Sequence, residues 1–341
     1  MRIATYNVEW FASLFDDNNH LLRDQRGSGR KGVSRAAQID ALGHVFRTLN
    51  ADAVMIVEAP DQGRRRDAVA ALENFAGAFD LRAHKAIMGF ENTTQQEIAL
   101  LYDPAALTPR HDPRGAVSGP EGAVGAPRFD GAMRIDLDVD AREDLVRFSK
   151  PPLELALTTA RGRSLRMIGA HLKSKAPHGA RSDADVMRIS IANRRKQLAQ
   201  AIWLRRRIEA ELAAGEDVIL LGDLNDGPGL DAFEDLFGRS SVEIIMGVGG
   251  GAAMFDPHAQ AALRHPLAAQ ASTARFHIER EGRYLSALLD YVMISEGLRA
   301  AQPEWRIWHP FDDHACWRDA KLREALLVAS DHFPVVLDID L

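Results

Sequence analysis

The sequence predicts a single α/β domain covering residues 1–341, and three observations carry that expectation. Short aliphatic or β-branched runs recur from one end of the chain to the other. Helical patterns are interspersed among them. The Gly/Pro-rich stretches have strand patterns of one core on both sides, and no repeat of fixed period divides the chain.

The elements follow in order. Residues 2–7 alternate as a strand. Residues 16–32 are polar and arginine-rich and read as a mobile surface loop. Ser34 is placed to cap a helix whose apolar stripe is Ile39, Leu42, Val45, Phe46 and Leu49. A strand at 53–57, a weaker helix at 65–75 and a strand at 98–102 come next. Residues 103–127 read as a long loop. Strands at 153–158 and 164–170 precede a helix over 188–213, with Ile191, Leu198, Ile202 and Leu212 on one side and a dense set of arginines. Paired with Glu209 and Glu211, the arginines from Arg194 to Arg207 read as a solvated face. Strands at 217–222, 286–294 and 333–339 complete the set, with a loop at 247–252.

Composition narrows the function. The chain has 46% hydrophobic and 26% charged residues, as a soluble globular protein does. Its 42 basic residues against 48 acidic ones give a charge of −6, which argues against a tight non-specific DNA binder but leaves room for a local basic rim. A lone cysteine, Cys316, excludes an intramolecular disulfide and a cysteine-based zinc cluster. The N-terminus enters a strand pattern at once, without the features of a secretory signal, and no apolar run is long enough to span a bilayer; a cytoplasmic location is the expectation.

Several strand-like runs end directly in polar side chains suited to catalysis. They are Asn7-Val8-Glu9, Val57-Glu58, Ala170-His171, Gly222-Asp223-Leu224-Asn225 and Ser330-Asp331-His332, with Asp290 inside a further run. Strand ends let a rigid scaffold aim several groups at one point. Hard cations such as Mg²⁺ take oxygen ligands, for which Glu58, Glu9 and Asp331 are candidates. In-line attack on a phosphate needs donors, available from Asn7, Asn225, His171 and His332, and a group to hold or deprotonate water, available from Asp223. A carboxylate within an apolar run, as at Asp290, requires a partner, and an imidazole is a suitable one.

Read alone, Gly-Asp-Leu-Asn is a turn and Ser-Asp-His a strand entry. Together, and in this order from residue 3 to residue 339, the blocks resemble the endonuclease/exonuclease/phosphatase (DNase I-like) superfamily. The resemblance implies a four-layer α/β sandwich, two mostly antiparallel sheets packed face to face with helices outside. It also implies Mg²⁺ (or Mn²⁺) as cofactor. Glu58 would bind the principal metal with Asn7 in support, and Asp331 would lie beside it. Glu9 falls where some members have a second acidic ligand. Asp223 would activate water, Asn225 would fix the phosphate, and His171 and His332 would contact it, with Asp290 orienting the His332 ring.

Lys173 and Lys175 follow the His171 strand end and are expected to touch flanking phosphates of a polymer. The leading expectation is therefore a nuclease with nucleic acid as substrate and no obligate protein partner. A phosphatase or a phospholipid or inositol-phosphate phosphodiesterase is the alternative, and a catalytically silent binding module a third. Trp10 and Phe11 read as core or rim. His309 and His314, which flank Phe311-Asp312-Asp313, read as a plain loop or as part of the substrate mouth; His178 and the remaining histidines read as surface or loop.

Overall fold

The computed structural model describes residues 1–94, 96–137, 143–177, 179–227, 238–265, 268–278 and 282–341, so His178 lies outside the described residues. In chain order the strands are β1 (Arg2–Asn7), β2 (Ala53–Ala59), β3 (Lys85–Met88), β4 (Glu97–Tyr102), β5 (Leu107–His111), β6 (Met133–Ile135), β7 (Asp144–Val146) and β8 (Leu153–Thr159). Then come β9 (Ser164–His171), β10 (Val218–Asp223), β11 (Met254–Phe255), β12 (Ala274–Ile278), β13 (Arg283–Ala287), β14 (Asp290–Ser295), β15 (Glu304–Ile307) and β16 (Val335–Asp338). They form two six-stranded sheets, β15-β16-β1-β2-β4-β3 and β11-β14-β10-β9-β8-β5, with two-stranded ribbons β12-β13 and β6-β7.

Each large sheet is antiparallel except for one central parallel pair, β1-β2 in the first and β9-β10 in the second. Ile3, Met55, Met167, Leu221 and Val292 belong to the dry core between the sheets. Helices cover the outer faces. Against the first sheet lie α1 (Arg35–Leu49) and α2 (Ala68–Ala78), packed with the C-terminal helix Ala320–Ala329; against the second lies α3 (Asp183–Ala213). The expected four-layer sandwich is thus the observed architecture. Ser34 caps α1 as anticipated, accepting from the Ala37 amide. None of the described helices is long and apolar enough to cross a membrane.

Several expectations change. The 103–127 loop contains edge strand β5, which tolerates Pro109 because an edge position does not need every amide. The run at 286–294 is two strands, broken at Leu288-Leu289, and the break starts β14 on Asp290. The 16–32 loop is tied down by bridges Phe15–Leu21 and Gly27–Ser34 and by an ion pair from Arg30 to Glu9.

The arginines of α3 are not one solvated face, although the expected pairing of Arg205 with Glu209 forms at 2.8 Å. Arg194, Arg205 and Arg207 are buried, and Arg207 Nε lies 2.9 Å from Glu154. Arg194 Nη1 lies 2.7 Å from Asp226 Oδ1, with neither side chain exposed. Arg194→Ala removes a fully buried partner of Asp226, leaving Lys175 as its remaining cation among the described residues, and should cost about 2–4 kcal/mol in chemical denaturation; a loss under about 1 kcal/mol would contradict this account of the helix.

Candidate active site

The four central parallel strands end side by side, and side-chain alternation decides what they present. In β1 the odd positions share the inter-sheet face with Ile3, so Asn7 points there. The same parity holds in β9, where His171 follows Leu165 and Met167, and in β10, where Asp223 follows Ile219 and Leu221. In β14, Asp290 is in phase with Val292 and Ile294.

Glu58 is out of phase. Met55 faces the inter-sheet core while Val54 and Ile56 face the helices, so strict alternation would turn Glu58 outward. A bulge between Val57 and Ala59 corrects this: Glu58 adopts φ 61°, and Ala59 rejoins the helix-side core. A left-handed conformation at a non-glycine residue carries strain, here at a carboxylate that the bulge re-aims.

The resulting cluster joins the two sheets. Asn7 Nδ2 donates to Asp223 Oδ2 across the sandwich at 3.0 Å. Asn225, itself left-handed at φ 50°, donates its backbone amide to Asp223 Oδ1 (2.8 Å) and its side-chain amide to Oδ2 (3.2 Å). Burial, with the Asp290 carboxylate adding to it, pushes Asp223 up to about 7, against the pull of His332 and these donors. His171 Nε2 lies 3.6 Å from Asp223 Oδ2. Burial and the neighbouring charges of Lys150, His332 and Lys173 hold that imidazole well below its ordinary pKa, so it is neutral.

His332 has the opposite charge state. Burial opposes its protonation, but Asp290 Oδ2, 2.7 Å from Nδ1, and the charges of Asp223 and Asp331 raise it well above the ordinary histidine value. Asp290 is held in turn by Thr273, whose hydroxyl donates to Oδ2 at 2.8 Å and accepts the Asp290 amide at 2.9 Å. Ser330 fastens the His332 loop to β1, donating to the Asn7 carbonyl at 2.8 Å. Asp223, Asp290 and His332 each bring a donor atom within 4.8 Å of the others, a grouping able to hold a metal ion.

Glu58 lines a cavity of about 290 Å³ together with Trp10, Arg66, Thr94 and Gln96. Burial raises its pKa, with Lys150 and His332 acting against the shift. Trp10 is exposed at this rim while Phe11 is core. Glu9 is engaged by Arg30 and by Trp10 Nε1 at 3.0 Å; burial and then Asp331 push it up to about 7, Arg30 opposing. Asp331 lies 3.9 Å from the same arginine.

Lys175 does not face the cluster as a free cation: its Nζ is 2.6 Å from Asp226 Oδ1, the oxygen that Arg194 also holds. Lys173 is half-buried, and desolvation followed by Lys196 lowers its pKa. Sequence reasoning missed Lys150, whose Nζ is 3.1 Å from His171 Nδ1 and close enough to Glu58 and Asp223 to feel both charges. It missed Thr273 as well. A lysine before a Pro-Pro pair and a threonine between a serine and an alanine carry no periodic signal.

Known proteins share the family and the fold. The endonuclease/exonuclease/phosphatase family matches residues 4–332. No curated protein matches the sequence. Among solved structures, truncated Caenorhabditis elegans TDP2 is similar at 14% identity and a TM-score of 0.51, covering 100% of this chain and 97% of that one. A 3'-5' exonuclease, NExo, from Neisseria meningitidis aligns at 14% identity and 0.51, covering 100% of both chains. An AP endonuclease from Archaeoglobus fulgidus aligns at 13% and 0.50, again with 100% of both covered. At these identities the structures attest the fold, and the family match, which runs from the first strand to the His332 loop, carries the chemistry. The chain belongs to the endonuclease/exonuclease/phosphatase family and is a metal-dependent phosphate-ester hydrolase.

Proposed function

We propose that this protein is a nuclease, hydrolysing DNA or RNA phosphodiester bonds by in-line attack of water. The observation that best supports the mechanism is the pairing of a carboxylate poised near neutrality, Asp223, with an imidazole whose charged form is favoured, His332. Asp223 takes the proton of the attacking water, and Asn7 and Asn225 fix the carboxylate that receives it. His332 donates to a phosphate oxygen as negative charge builds there, and Asp290 keeps its ring oriented. His171 adds a neutral donor, and Lys150 a cation missing from the expected set.

The donor set suits a hard divalent cation, Mg²⁺ or Mn²⁺. Asn7 Oδ1 is buried without a hydrogen-bond partner, and Glu58 is buried with its charge disfavoured. Glu58 and Asn7 would hold the ion with Asp331 beside it, whereas Glu9 is taken by Arg30. Bound there, the cation supplies Lewis-acid stabilisation of the phosphate oxygens. Glu58→Gln is expected to weaken Mn²⁺ binding by more than about ten-fold in titration calorimetry. Unchanged affinity would move the ion elsewhere, the Asp223, Asp290 and His332 grouping being next.

The polymer half of the reading rests on Lys173, which has no ion-pair partner among the described residues, beside Lys150 at the same mouth. A Neisseria NExo structure, described as a 3' phosphatase bound to a product DNA hairpin, aligns at 16% identity and a TM-score of 0.50. The test is direct. Purified protein with Mg²⁺ or Mn²⁺ should cleave plasmid, single-stranded DNA or RNA, and chelation should stop it. Turnover of sphingomyelin or an inositol phosphate with none of nucleic acid would overturn the reading.

A further inference from the structure

A second cavity is walled by residues joined to the His332 loop. It measures about 410 Å³, within the range of a nucleotide-sized pocket, and Arg275, Ala287, Leu288, His309, Phe311 and Asp312 line it. Its walls are continuous with the catalytic loop. The Arg275 amide donates to the Asp331 carbonyl at 2.7 Å, and Ala274 bridges to His332. Leu288 precedes the break that begins β14 on Asp290.

Three features at or beside this cavity point to a ligand. The Arg275 guanidinium makes no ion pair among the described residues; it lies 3.9 Å from the centre of the Tyr284 ring and 5.4 Å from that of Phe311. Both rings are open to solvent, Tyr284 at 55% and Phe311 at 41% exposure. His309 is only 5% exposed, and its Nε2 is buried without a partner. Its Nδ1 accepts the amides of Phe311 and Asp312 at 3.3 and 3.0 Å, which leaves the proton on Nε2. Asp312 Oδ2 also approaches Nδ1, at 3.1 Å, but that carboxylate is 69% exposed and screened by water, so the two backbone amides set the tautomer. Burial lowers the His309 pKa, and Arg275 adds to the effect while Asp312 opposes it, which favours the neutral ring.

Exposed aromatic faces, an unpaired guanidinium and a buried donor without an acceptor form a set that suits a nucleobase and its phosphate. We propose that this cavity binds an unpaired nucleotide flanking the scissile phosphate. Its base stacks on Phe311, its phosphate meets Arg275, and a base or sugar oxygen accepts from His309 Nε2. The inference rests on the nuclease reading and sharpens it, because a base held in a duplex stack cannot enter a pocket. The preferred substrate is then single-stranded or frayed nucleic acid. Of the two roles open to the 308–313 loop, lining the mouth is the one this assigns.

Two measurements test it. Phe311→Ala and Arg275→Met should lower kcat/KM for a single-stranded oligonucleotide about ten-fold more than for methyl p-nitrophenyl phosphate, which has no base. Phe311→Trp should restore the ratio. With Asp223→Asn protein, which binds without turnover, 2-aminopurine beside the scissile position should be quenched, and adding Phe311→Ala should remove the quenching. Equal losses on both substrates, no loss on either, or quenching that survives Phe311→Ala would overturn the subsite while the nuclease reading stands. Wild-type protein that cleaves no oligonucleotide overturns the nuclease reading first, and the subsite with it.

Discussion

Asp223→Asn is expected to lower kcat by about 10²–10⁴-fold while leaving the fold intact, since the amide has the shape of the carboxylate but cannot take a proton from water. The size follows from where Asp223 sits. It ends a central strand, is 1% exposed, and receives donors from Asn7 on one sheet and Asn225 on its own. Burial raises it to about 7, with Asp290 adding to the shift. A base with a raised pKa is protonated, and idle, on the acid side. Below pH 7 kcat/KM should fall close to ten-fold per unit, and above about pH 7 it should level. The same limb should vanish in Asp223→Asn. A wild-type profile flat from pH 5 to about 8 would exclude Asp223 as the base whatever the loss in kcat.

The stability consequence has its own sign. A carboxyl whose folded pKa lies above its unfolded value binds its proton more tightly in the folded protein. The destabilisation is absent below the unfolded value, grows as pH rises toward about 7, and is constant beyond. The ionised form of Asp223 that the proposed mechanism requires is thus populated over the pH range in which its contribution to stability worsens.

Much of this was legible in the sequence, and alternation explains why. Asn7, His171, Asp223 and Asp290 each continue the period-two face of an apolar run, so a strand reading alone turns all four into one interior. Glu58 breaks the rule, and only the bulge at 57–59 restores it; a bulge leaves no mark in residues of this type. Edge strands such as β5 were hidden by Pro109 and by polar residues. Arg194 and Arg207 of α3 were misread because their partners, Asp226 and Glu154, lie far along the chain. Pairing at that separation is a property of the fold. Lys150 and Thr273 were hidden in the same way: each acts through a neighbour that a different strand supplies.

The Asp290–His332 pair should behave as one device. His332 keeps its proton because Asp290 lies 2.7 Å away, even though burial works against the charge. Asp290→Asn removes that support, so the ring becomes neutral at lower pH. An imidazole with a raised folded pKa is charged below that value and loses its proton as pH climbs through it. The alkaline fall in activity should therefore begin at a lower pH in Asp290→Asn than in wild type. At neutral pH the loss in kcat should be about 10²–10³-fold, similar to that of His332→Gln. Combining the two should cost little more than either alone, since the carboxylate has no effect except through the ring. Thr273→Val, which leaves Asp290 in place but removes a donor that offsets part of its charge, should move the alkaline limb slightly the other way, to higher pH. Additive losses in the double variant, or an alkaline limb unmoved in Asp290→Asn, would mean that Asp290 acts separately, as a ligand in the grouping with Asp223 and His332. The pH profile distinguishes these roles, since a purely structural loss lowers the plateau without moving the limb.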